Sequence, residues 1–233
     1  ATVHRANPGA DRLDVKLLDV TDAERGARVI DEVRPDVVVN SAGDALLGAV
    51  ADADEDAVRA QFDTLVLAPV RLALAAAEHQ REAGGGRIVN VSSTTADAAL
   101  PFTGWYAAAK AALDSVTDAL RLELGADGIE VVRVDAGAVS TPAWDGAGDE
   151  VESGTDPHTR DARRRWSALT RLARPAFADP AEAGDVVAAA SLDTHPRSIY
   201  RVGFGAHLGL LSAVTPDPIE EAVTRVLFAL RRR

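Results

Sequence analysis

The 233-residue chain contains neither cysteine nor methionine. The absence of cysteine excludes disulfide bonds, thiolate metal ligands and cysteine nucleophiles, and no metal site is expected. Aromatic residues make up only 4% of the chain, so alanine, valine and leucine must supply most of its 47% hydrophobic content. No run of eighteen apolar residues occurs, and residues 1–14 lack the basic-then-apolar pattern of a secretory signal. A cytoplasmic protein without a membrane span is therefore expected.

Acidic residues outnumber basic residues in the sequence. There are 25 Lys and Arg residues against 36 Asp and Glu residues, which gives a net charge of −11. An acidic protein without a basic stripe has little with which to neutralise phosphates, so nucleic acid is excluded as a partner. The basic clusters at 160–166 and 231–233 are local, and we interpret them as a solvated helix face and a solubilising tail.

Strand-like and helix-like segments alternate along the chain. Short β-prone runs predict strands at 13–18, 36–40, 87–93, 129–135 and 199–204. Amphipathic runs predict helices at 21–34, 54–83, 104–125 and 180–193, with Pro69 breaking or kinking the second of them. The stretch from about 136 to 178 is predicted to be irregular. This alternation predicts a single α/β domain built on a doubly wound parallel sheet.

One of the two tyrosines and one of the two lysines stand four residues apart, at Tyr106 and Lys110. On a helix this spacing places both side chains on one face. A free tyrosine has a pKa near 10, and a neighbouring ammonium lowers that pKa, so that the phenol can act as an acid–base. The alternative is an amphipathic helix with a packed tyrosine and a solvated lysine, because the spacing alone is a weak motif.

Ser93 strengthens the functional interpretation of the pair. It ends a predicted buried strand thirteen residues before Tyr106. Ligands of parallel α/β sheets bind beyond the carboxyl ends of the strands, where this hydroxyl reaches the same pocket as a tyrosine on the next helix. Ser93 would then hold a substrate oxygen while Tyr106 moves its proton. The alternative for Ser92 and Ser93 is a strand-end cap for the following turn.

The segment "RIVNVSSTTADAALPFTGWYAAAKAALDSVTDALRLEL" (87–124) resembles the active-site segment of the short-chain dehydrogenase/reductase family. "LDVTD" (18–22) is similar to the family's adenine-contacting Asp–Val, and "VVVNSAG" (37–43) to its Asn-Asn-Ala-Gly strand end. "VVRVDAGAVSTPAW" (131–144) resembles the segment after the sixth strand, which holds the nicotinamide. The resemblance implies a single Rossmann-type oxidoreductase domain over residues 1–233, with NAD(H) or NADP(H) as its cofactor.

The resemblance also implies a role for each matching residue. Tyr106 would be the acid–base, Lys110 would lower its pKa and bond the nicotinamide ribose, and Ser93 would hold the substrate oxygen. The remaining cofactor contacts would be Asp19 and Val20 at the adenine, Asn40, Ala42 and Gly43 along the adenosine, and Val139 and Thr141 at the carboxamide. A methyl-, glycosyl- or phosphoryl-transfer enzyme on a similar sheet would leave the Tyr106–Lys110 pair unexplained.

Three positions within the matching segments differ from the family pattern. Leu65 stands where the family usually has an asparagine that holds a water of a proton relay, and leucine has no group to hold that water. Ser41 replaces a common asparagine and Ala136 a common proline, which are milder changes. Leu65 motivates the alternative to catalysis, a non-catalytic relative that senses the cofactor or serves as a scaffold.

The largest departure lies at the start of the sequence. In register, "ATVHR" (1–5) would be the second strand of the fold, and the first strand with its T-G-x-x-x-G-x-G loop is not found. That strand is central, and its loss would leave two rows of buried backbone groups unpaired. We therefore expect about 30 further residues upstream in the natural protein. The alternative is that "ATVHR" occupies the central slot itself.

The end of "ATVHR" bears on the choice of cofactor. A carboxylate there would bond the ribose 2′-hydroxyl of NAD, whereas an arginine accommodates the 2′-phosphate of NADP. The sequence has His4 and Arg5, and no carboxylate before Asp11. NADP(H) is therefore favoured over NAD(H), with Arg5 as the phosphate contact. The alternative is a surface arginine without a ligand.

Residues of about 140–178 correspond to the family's substrate lid. An apolar wall of Phe102, Trp105 and Trp144 would suit a hydrophobic ketone or secondary alcohol, and the alternative for these aromatics is core packing. The stretch around Tyr106 and the tail 199–216 resemble the steroid- and retinol-dehydrogenase-like branch. The helices at 54–83 and 104–125 correspond to the family's dimer faces, so a homo-oligomer, either a dimer or a tetramer, is expected.

Overall fold

The computed structural model describes residues 2–5, 14–98, 100–206 and 215–228. Its strands are β1 (Thr2–Arg5), β2 (Asp14–Leu17), β3 (Val37–Asn40), β4 (Gly86–Ser93), β5 (Ile129–Ala136) and β6 (Ile199–Val202). Its helices are α1 (Ala23–Val33), α2 (Glu55–Phe62), α3 (Ala68–Ala83), α4 (Gly104–Leu124), α5 (Ala147–Glu152), α6 (Arg160–Ala173), α7 (Pro180–Leu192) and α8 (Asp217–Phe228). The predicted strands at 13–18, 36–40, 87–93, 129–135 and 199–204 are confirmed, with ends that differ by a few residues.

The main sheet has four parallel strands in the order β3-β4-β5-β6. On one face, α3 and α4 pack against Ile88 and Val131 of the two central strands. On the other face, α7 packs against Val89 and Val132, the neighbouring positions of the same strands. Alternate residues of each strand therefore enter two different cores. The predicted doubly wound α/β architecture is confirmed.

The first strand does not join this sheet. β1 pairs antiparallel with β2 in a separate two-stranded sheet, with Thr2 opposite Leu17 and Arg5 opposite Asp14. Both expected placements of "ATVHR", as the second parallel strand or in the central slot, are therefore wrong. The connection explains the pairing: only residues 6–13 separate the two strands, whereas a parallel pair needs a crossover of a dozen or more residues.

β3 forms the outer strand of the main sheet in the described part of the chain. It pairs there with β4 alone, and Val39 is 41% exposed. A cavity of about 580 Å³ lies against β3, α1 and α3 and is lined mainly by apolar side chains. The carboxyl end of β3 opens into this cavity through Asn40, Ser41 and Ala42.

The predicted helix at 54–83 is interrupted as expected. α2 and α3 are joined by a π-helical turn over Asp63–Leu67, in which the Ala68 amide donates to the Asp63 carbonyl oxygen five residues back. Pro69 follows at the start of α3. Because proline has no amide hydrogen and its ring crowds the carbonyl four residues earlier, the wider turn relieves a clash with Leu65.

The same helical run is long and apolar enough to cross a membrane by length and composition, although 44% of its best window is buried. One such helix is weak evidence for a membrane span, and the expectation of a protein without one stays a prediction. Alanines interspersed with charged residues raise the mean hydropathy without forming a continuous apolar run. A core helix that packs against a sheet has the same composition.

The stretch predicted to be irregular, at about 136–178, contains α5 and α6. This stretch is rich in glycine, aspartate and arginine, but its apolar residues recur at helical spacing. Those positions meet in one cluster around Phe102, which consists of Ala147, Val151, Ala162, Trp166 and Phe228. The prediction of an irregular segment was therefore wrong for α5 and α6.

Candidate active site

Ser93, Tyr106 and Lys110 come together at the carboxyl end of β4. Ser93 is the last residue of that strand, and Tyr106 lies in the first turn of α4. The Ser93 hydroxyl lies close enough to the Tyr106 phenol to lower the pKa of that phenol. The Lys110 Nζ lies 5.8 Å from the centre of the Tyr106 ring and donates to the Val91 carbonyl oxygen at 2.8 Å. The sequence prediction that these three side chains share one site agrees with this geometry.

The Ser93 hydroxyl also caps the turn that follows β4. It accepts hydrogen bonds from the Thr95 amide at 3.3 Å and from the Thr95 hydroxyl at 3.0 Å. The strand-end cap considered as an alternative for Ser93 is therefore present beside the contact with Tyr106. Because Thr95 orients the serine oxygen, the two roles support each other.

Protonation of the pair is governed by burial. Burial raises the pKa of Tyr106, the Ser93 hydrogen bond opposes this, and the Asp44 carboxylate raises it further. Burial also lowers the pKa of Lys110 to about 8, and Asp114 acts in the opposite direction. The pKa of Tyr106 is thus raised, opposite to the lowering expected from Lys110, because desolvation of the phenol is the largest cause of the shift.

Leu65 forms an apolar wall beside the pair. Its side chain is 2% exposed and belongs to a cluster with Val66, Ala109 and Tyr106. It also fills the space next to Gly43, where a Cβ atom would lie 2.2 Å from the Leu65 Cδ2. Gly43 has a φ of +156°, so the backbone and the close approach both require glycine at this position.

We expect Gly43→Ala to destabilise the protein by about 1 kcal/mol through its backbone conformation and by about 1–3 kcal/mol more through overlap with Leu65. Gly48→Ala is the matched control, because Gly48 has a φ of +142° and nothing lies within 4 Å of its added Cβ. In a Leu65→Ala background, Gly43→Ala should cost only the backbone part. Denaturant unfolding of the double-mutant cycle measures this, and simple additivity would contradict the assigned contact.

Three of the predicted cofactor contacts, Val20, Asn40 and Ala42, line the cavity beside β3. The Asn40 amide is also committed to the fold, since its Nδ2 donates to Asn90 Oδ1 at 2.8 Å and to the Pro69 carbonyl oxygen at 3.2 Å. The Asp19 carboxylate is exposed and accepts hydrogen bonds from Thr21, which lower its pKa.

The remaining predicted cofactor residues lie elsewhere. Val139 and Thr141 follow β5, where the Thr141 amide donates to the Val139 carbonyl oxygen at 2.9 Å. The Arg5 backbone belongs to β1, whereas its side chain and Asp11 lie outside the described part of the chain. The tail segment 207–214, used in the branch comparison, and the basic residues 231–233 also lie outside it.

The predicted substrate wall divides into separate groups. Phe102 is 5% exposed within the α5–α6 cluster, which fits the core-packing alternative. Trp105 donates through Nε1 to the Val50 carbonyl oxygen at 3.2 Å. The Trp144 ring packs against Phe177 with 4.9 Å between ring centres. Of these three aromatic side chains, Trp105 and Trp144 are partly exposed and Phe102 is buried.

A group of buried charges behind the pair was missed in the sequence. Asp114 of α4 and Asp135 of β5 flank Arg133, at 3.1 Å and 2.7 Å respectively. Arg201 of β6 approaches Asp135 at 3.6 Å. The available signal was a charged residue at alternate positions inside the apolar run "VVRVDA", which a strand buried on both faces does not normally carry.

The chain is similar to a family model and to several known proteins. A family model described as enoyl-(acyl carrier protein) reductase matches residues 3–190. The chain is 31% identical over 186 residues to human 17-beta-hydroxysteroid dehydrogenase type 1, covering 77% of this chain and 56% of that protein. A short-chain dehydrogenase structure from Streptomyces avermitilis is similar with a TM-score of 0.71 and 29% identity, covering 90% of this chain and 76% of that one. L-sorbose reductase from Gluconobacter frateurii, solved with NADPH and L-sorbose, has a TM-score of 0.67 and 25% identity, covering 81% and 74%.

Proposed function

The chain belongs to the short-chain dehydrogenase/reductase family, and from that premise we propose that it is an NADP(H)-dependent oxidoreductase that interconverts a carbonyl and a secondary alcohol on a hydrophobic substrate. The placement of Ser93 beside the Tyr106 phenol, at the carboxyl end of β4, carries the proposal. Lys110, one helical turn further along α4, completes the site. The family assignment makes the chain an oxidoreductase, whereas the substrate class and the residue roles are our proposal.

The residues beside β3 fit a dinucleotide. The cavity of about 580 Å³ runs along β3 and reaches its carboxyl end, where parallel sheets bind nucleotides, and Val20 and Ala42 line it. Val20, Asn40 and Ala42 would hold the adenosine half, and Lys110 the nicotinamide ribose. A bound nicotinamide supplies a hydride in reduction and accepts one in oxidation.

The chain's own residues perform the proton chemistry. In reduction, Tyr106 donates its phenolic proton to the substrate carbonyl oxygen while the Ser93 hydroxyl donates a hydrogen bond to the same oxygen. Burial raises the pKa of Tyr106 and so keeps the phenol protonated at neutral pH, which suits this direction. The Lys110 ammonium stabilises the phenolate that remains.

Apolar surface near the site supports a hydrophobic substrate. Trp105 and Trp144 are partly exposed, and Leu65 presents no polar group beside the pair. The similarity to a protein named as a hydroxysteroid dehydrogenase agrees with this substrate class. The similar reductase solved with NADPH supports the preference for NADP(H). Arg5, whose strand pairs antiparallel with β2, stays a predicted phosphate contact. A homo-oligomer and a cytoplasmic location stay predictions.

Cofactor titration tests the proposal. The natural protein, with any residues that precede residue 1, is titrated with NADPH and with NADH while nicotinamide fluorescence is followed. We expect NADPH to bind at least about tenfold more tightly, and Arg5→Ala to remove most of that difference because a charge-assisted bond to the phosphate is lost. NADPH oxidation with a panel of hydrophobic ketones then tests turnover.

Three results would contradict parts of the proposal. Equal binding of both cofactors would refute the NADP(H) preference. NADPH binding without turnover of any carbonyl substrate would favour the non-catalytic alternative, a cofactor-sensing or scaffolding relative. Failure to bind either cofactor would refute the oxidoreductase mechanism as a whole. Arg25→Ala is a suitable control for Arg5→Ala, because Arg25 lies on α1 and donates to the Leu17 carbonyl oxygen.

A further inference from the structure

The Lys110 side chain is buried next to apolar residues. The residue is 7% exposed, and Tyr106, one helical turn before it, packs in an apolar cluster with Leu65 and Ala109. Its Nζ donates one hydrogen bond, to the Val91 carbonyl oxygen. An ammonium has three protons to donate and is costly to bury unless a negative charge lies near it. A carboxylate is therefore required close to Lys110.

Asp114 meets this requirement by its position on the helix. It lies four residues after Lys110 on α4, so that the two side chains share one face one turn apart. Asp114 is also 7% exposed. Two buried groups of opposite charge on one helix face lie in a medium of low dielectric constant, where their attraction is much stronger than in water.

Arg133 fixes the Asp114 carboxylate from the neighbouring strand. The Arg133 Nη1 lies 3.1 Å from the Asp114 Oδ2, while its Nε lies 2.7 Å from the Asp135 Oδ1. Asp135 is 1% exposed and receives a second cation, Arg201, at 3.6 Å. Two carboxylates thus hold the guanidinium, which in turn orients Asp114 through its Oδ2 atom, while the Asp114 Oδ1 is buried without a hydrogen-bond partner in the described residues.

We propose that Asp114 is a positioning residue for the Tyr106–Lys110 pair: its carboxylate, oriented by Arg133, keeps Lys110 as an ammonium inside the protein. The inference deepens the proposed function and rests on it for the role of Lys110. Asp114 does not touch the reacting atoms and acts through the lysine. Removing its charge should therefore affect catalysis through the protonation of Lys110.

The charges around Asp114 are consistent with this role. Burial raises the pKa of Asp114 to about 6, the Ser92 hydroxyl and Arg133 oppose that, and Asp135 and Asp97 add to it. Asp118, one turn further along α4, is exposed and paired with Arg121 at 2.6 Å. The pKa of Lys110 is lowered to about 8. Between about pH 6 and 8, a carboxylate at 114 therefore accompanies an ammonium at 110.

The test measures Lys110 directly. The chain has two lysines, so lysine labelled with ¹³C at Cε gives two NMR signals, of which Lys110→Met identifies one. In Asp114→Asn, the pKa of Lys110 should fall by about 1, a tenfold change in its protonation equilibrium. Lys16, which pairs with Glu32 on the surface, is the internal reference. Asp118→Asn is the control and should leave Lys110 unchanged.

An unchanged or higher pKa of Lys110 in Asp114→Asn would overturn the proposal, as would an equal fall in Asp118→Asn. If Asp114→Asn does not fold, titration of the wild-type protein decides: the Lys110 signal must then show an inflection near pH 6 as Asp114 ionises, and its absence refutes the coupling. The measurement needs no turnover. Failure of the proposed function would appear in the cofactor titration, whereas failure of this inference appears in the lysine signal.

The activity of Asp114→Asn supplies a second readout. Its kcat/KM should match the wild type near pH 6, where Lys110 is protonated in both, and fall about fivefold below it near pH 8. Loss of the same size at both pH values would indicate a structural defect and overturn the assignment. On the acidic side of the pH profile, kcat/KM of Asp114→Asn should follow that of the wild type.

Discussion

Replacing Tyr106 with phenylalanine should lower kcat by about 10²- to 10⁴-fold, the usual contribution of a positioned acid–base. The substitution removes the hydroxyl that exchanges a proton with the substrate oxygen and accepts the Ser93 contact. The ring would keep its packing against Leu65 and Ala112, so the fold should be retained. Steady-state kinetics with NADPH and a hydrophobic ketone measure the effect, and cofactor fluorescence should show unchanged binding.

Tyr200→Phe is the matched control, because Tyr200 is the second of the chain's two tyrosines. Its hydroxyl donates to Asp193 at 2.6 Å, at the end of α7, and it has no contact with Ser93 or Lys110 in the described residues. We expect kcat close to that of the wild type. Equal losses in both tyrosine variants, or a fully active Tyr106→Phe, would refute the assignment of Tyr106 as the acid–base.

Replacing Arg133 with methionine should lower the free energy of unfolding by about 3–5 kcal/mol at pH 7. The change leaves Asp114 and Asp135 buried without their shared cation. Asp135 retains Arg201 at 3.6 Å, and Asp114 retains the Lys110 ammonium one helical turn away. Methionine has a similar length, so the loss comes mainly from the unpaired charges. Denaturant unfolding monitored by circular dichroism gives the free energy directly.

Arg87→Met is the control for this prediction. Arg87 of β4 pairs with Glu130 of β5, but the Glu130 side chain is 46% exposed and stays hydrated when its partner is removed. Its replacement should therefore cost about 1 kcal/mol or less from the ion pair. Comparable losses for Arg87→Met and Arg133→Met would contradict the view that burial of the carboxylates determines the cost.

The cost of Arg133→Met should also shrink as the pH falls. The pKa of Asp114 is about 6 in the folded protein against an ordinary value of 3.8, so the folded state binds that proton more tightly than the unfolded state. Its protonation favours folding below about pH 4, and this advantage is lost as the pH rises to about 6. Removing Arg133 raises the pKa of both buried carboxyls further. The destabilisation should therefore be smaller at pH 5 than at pH 7.

Local patterns were sufficient for most of the fold. The β-branched run at Val37–Asn40 and the longer runs of β4 and β5 each predicted a strand, because strands buried on both faces need apolar residues at successive positions. β1 was predicted as a strand too, but not its partner. Pairing depends on the length of the connection, which here allows an antiparallel neighbour only.

Some features of the candidate site could likewise be predicted from local sequence and others could not. Ser93, Tyr106 and Lys110 were predictable because a strand end and one helical turn determine their relative positions. The ion pairs of Arg133 and Asp135 could not be predicted. They join residues of α4, β5 and β6, which come close together only when the sheet forms. The rise of the Tyr106 pKa through burial likewise depends on surroundings that the spacing does not describe.

The π-helical turn at Asp63–Leu67 also shifts the phase of the helical run. One extra residue in a turn rotates everything after it by about 100° relative to a continuous α-helix. α2 and α3 can therefore present different stripes of their sequence to their neighbours, the former toward α4 and the latter toward α1 and the sheet. The offset falls at Leu65, the residue that meets both Gly43 and Tyr106. A single inserted residue thus aligns two otherwise incompatible helix faces at the wall of the candidate site.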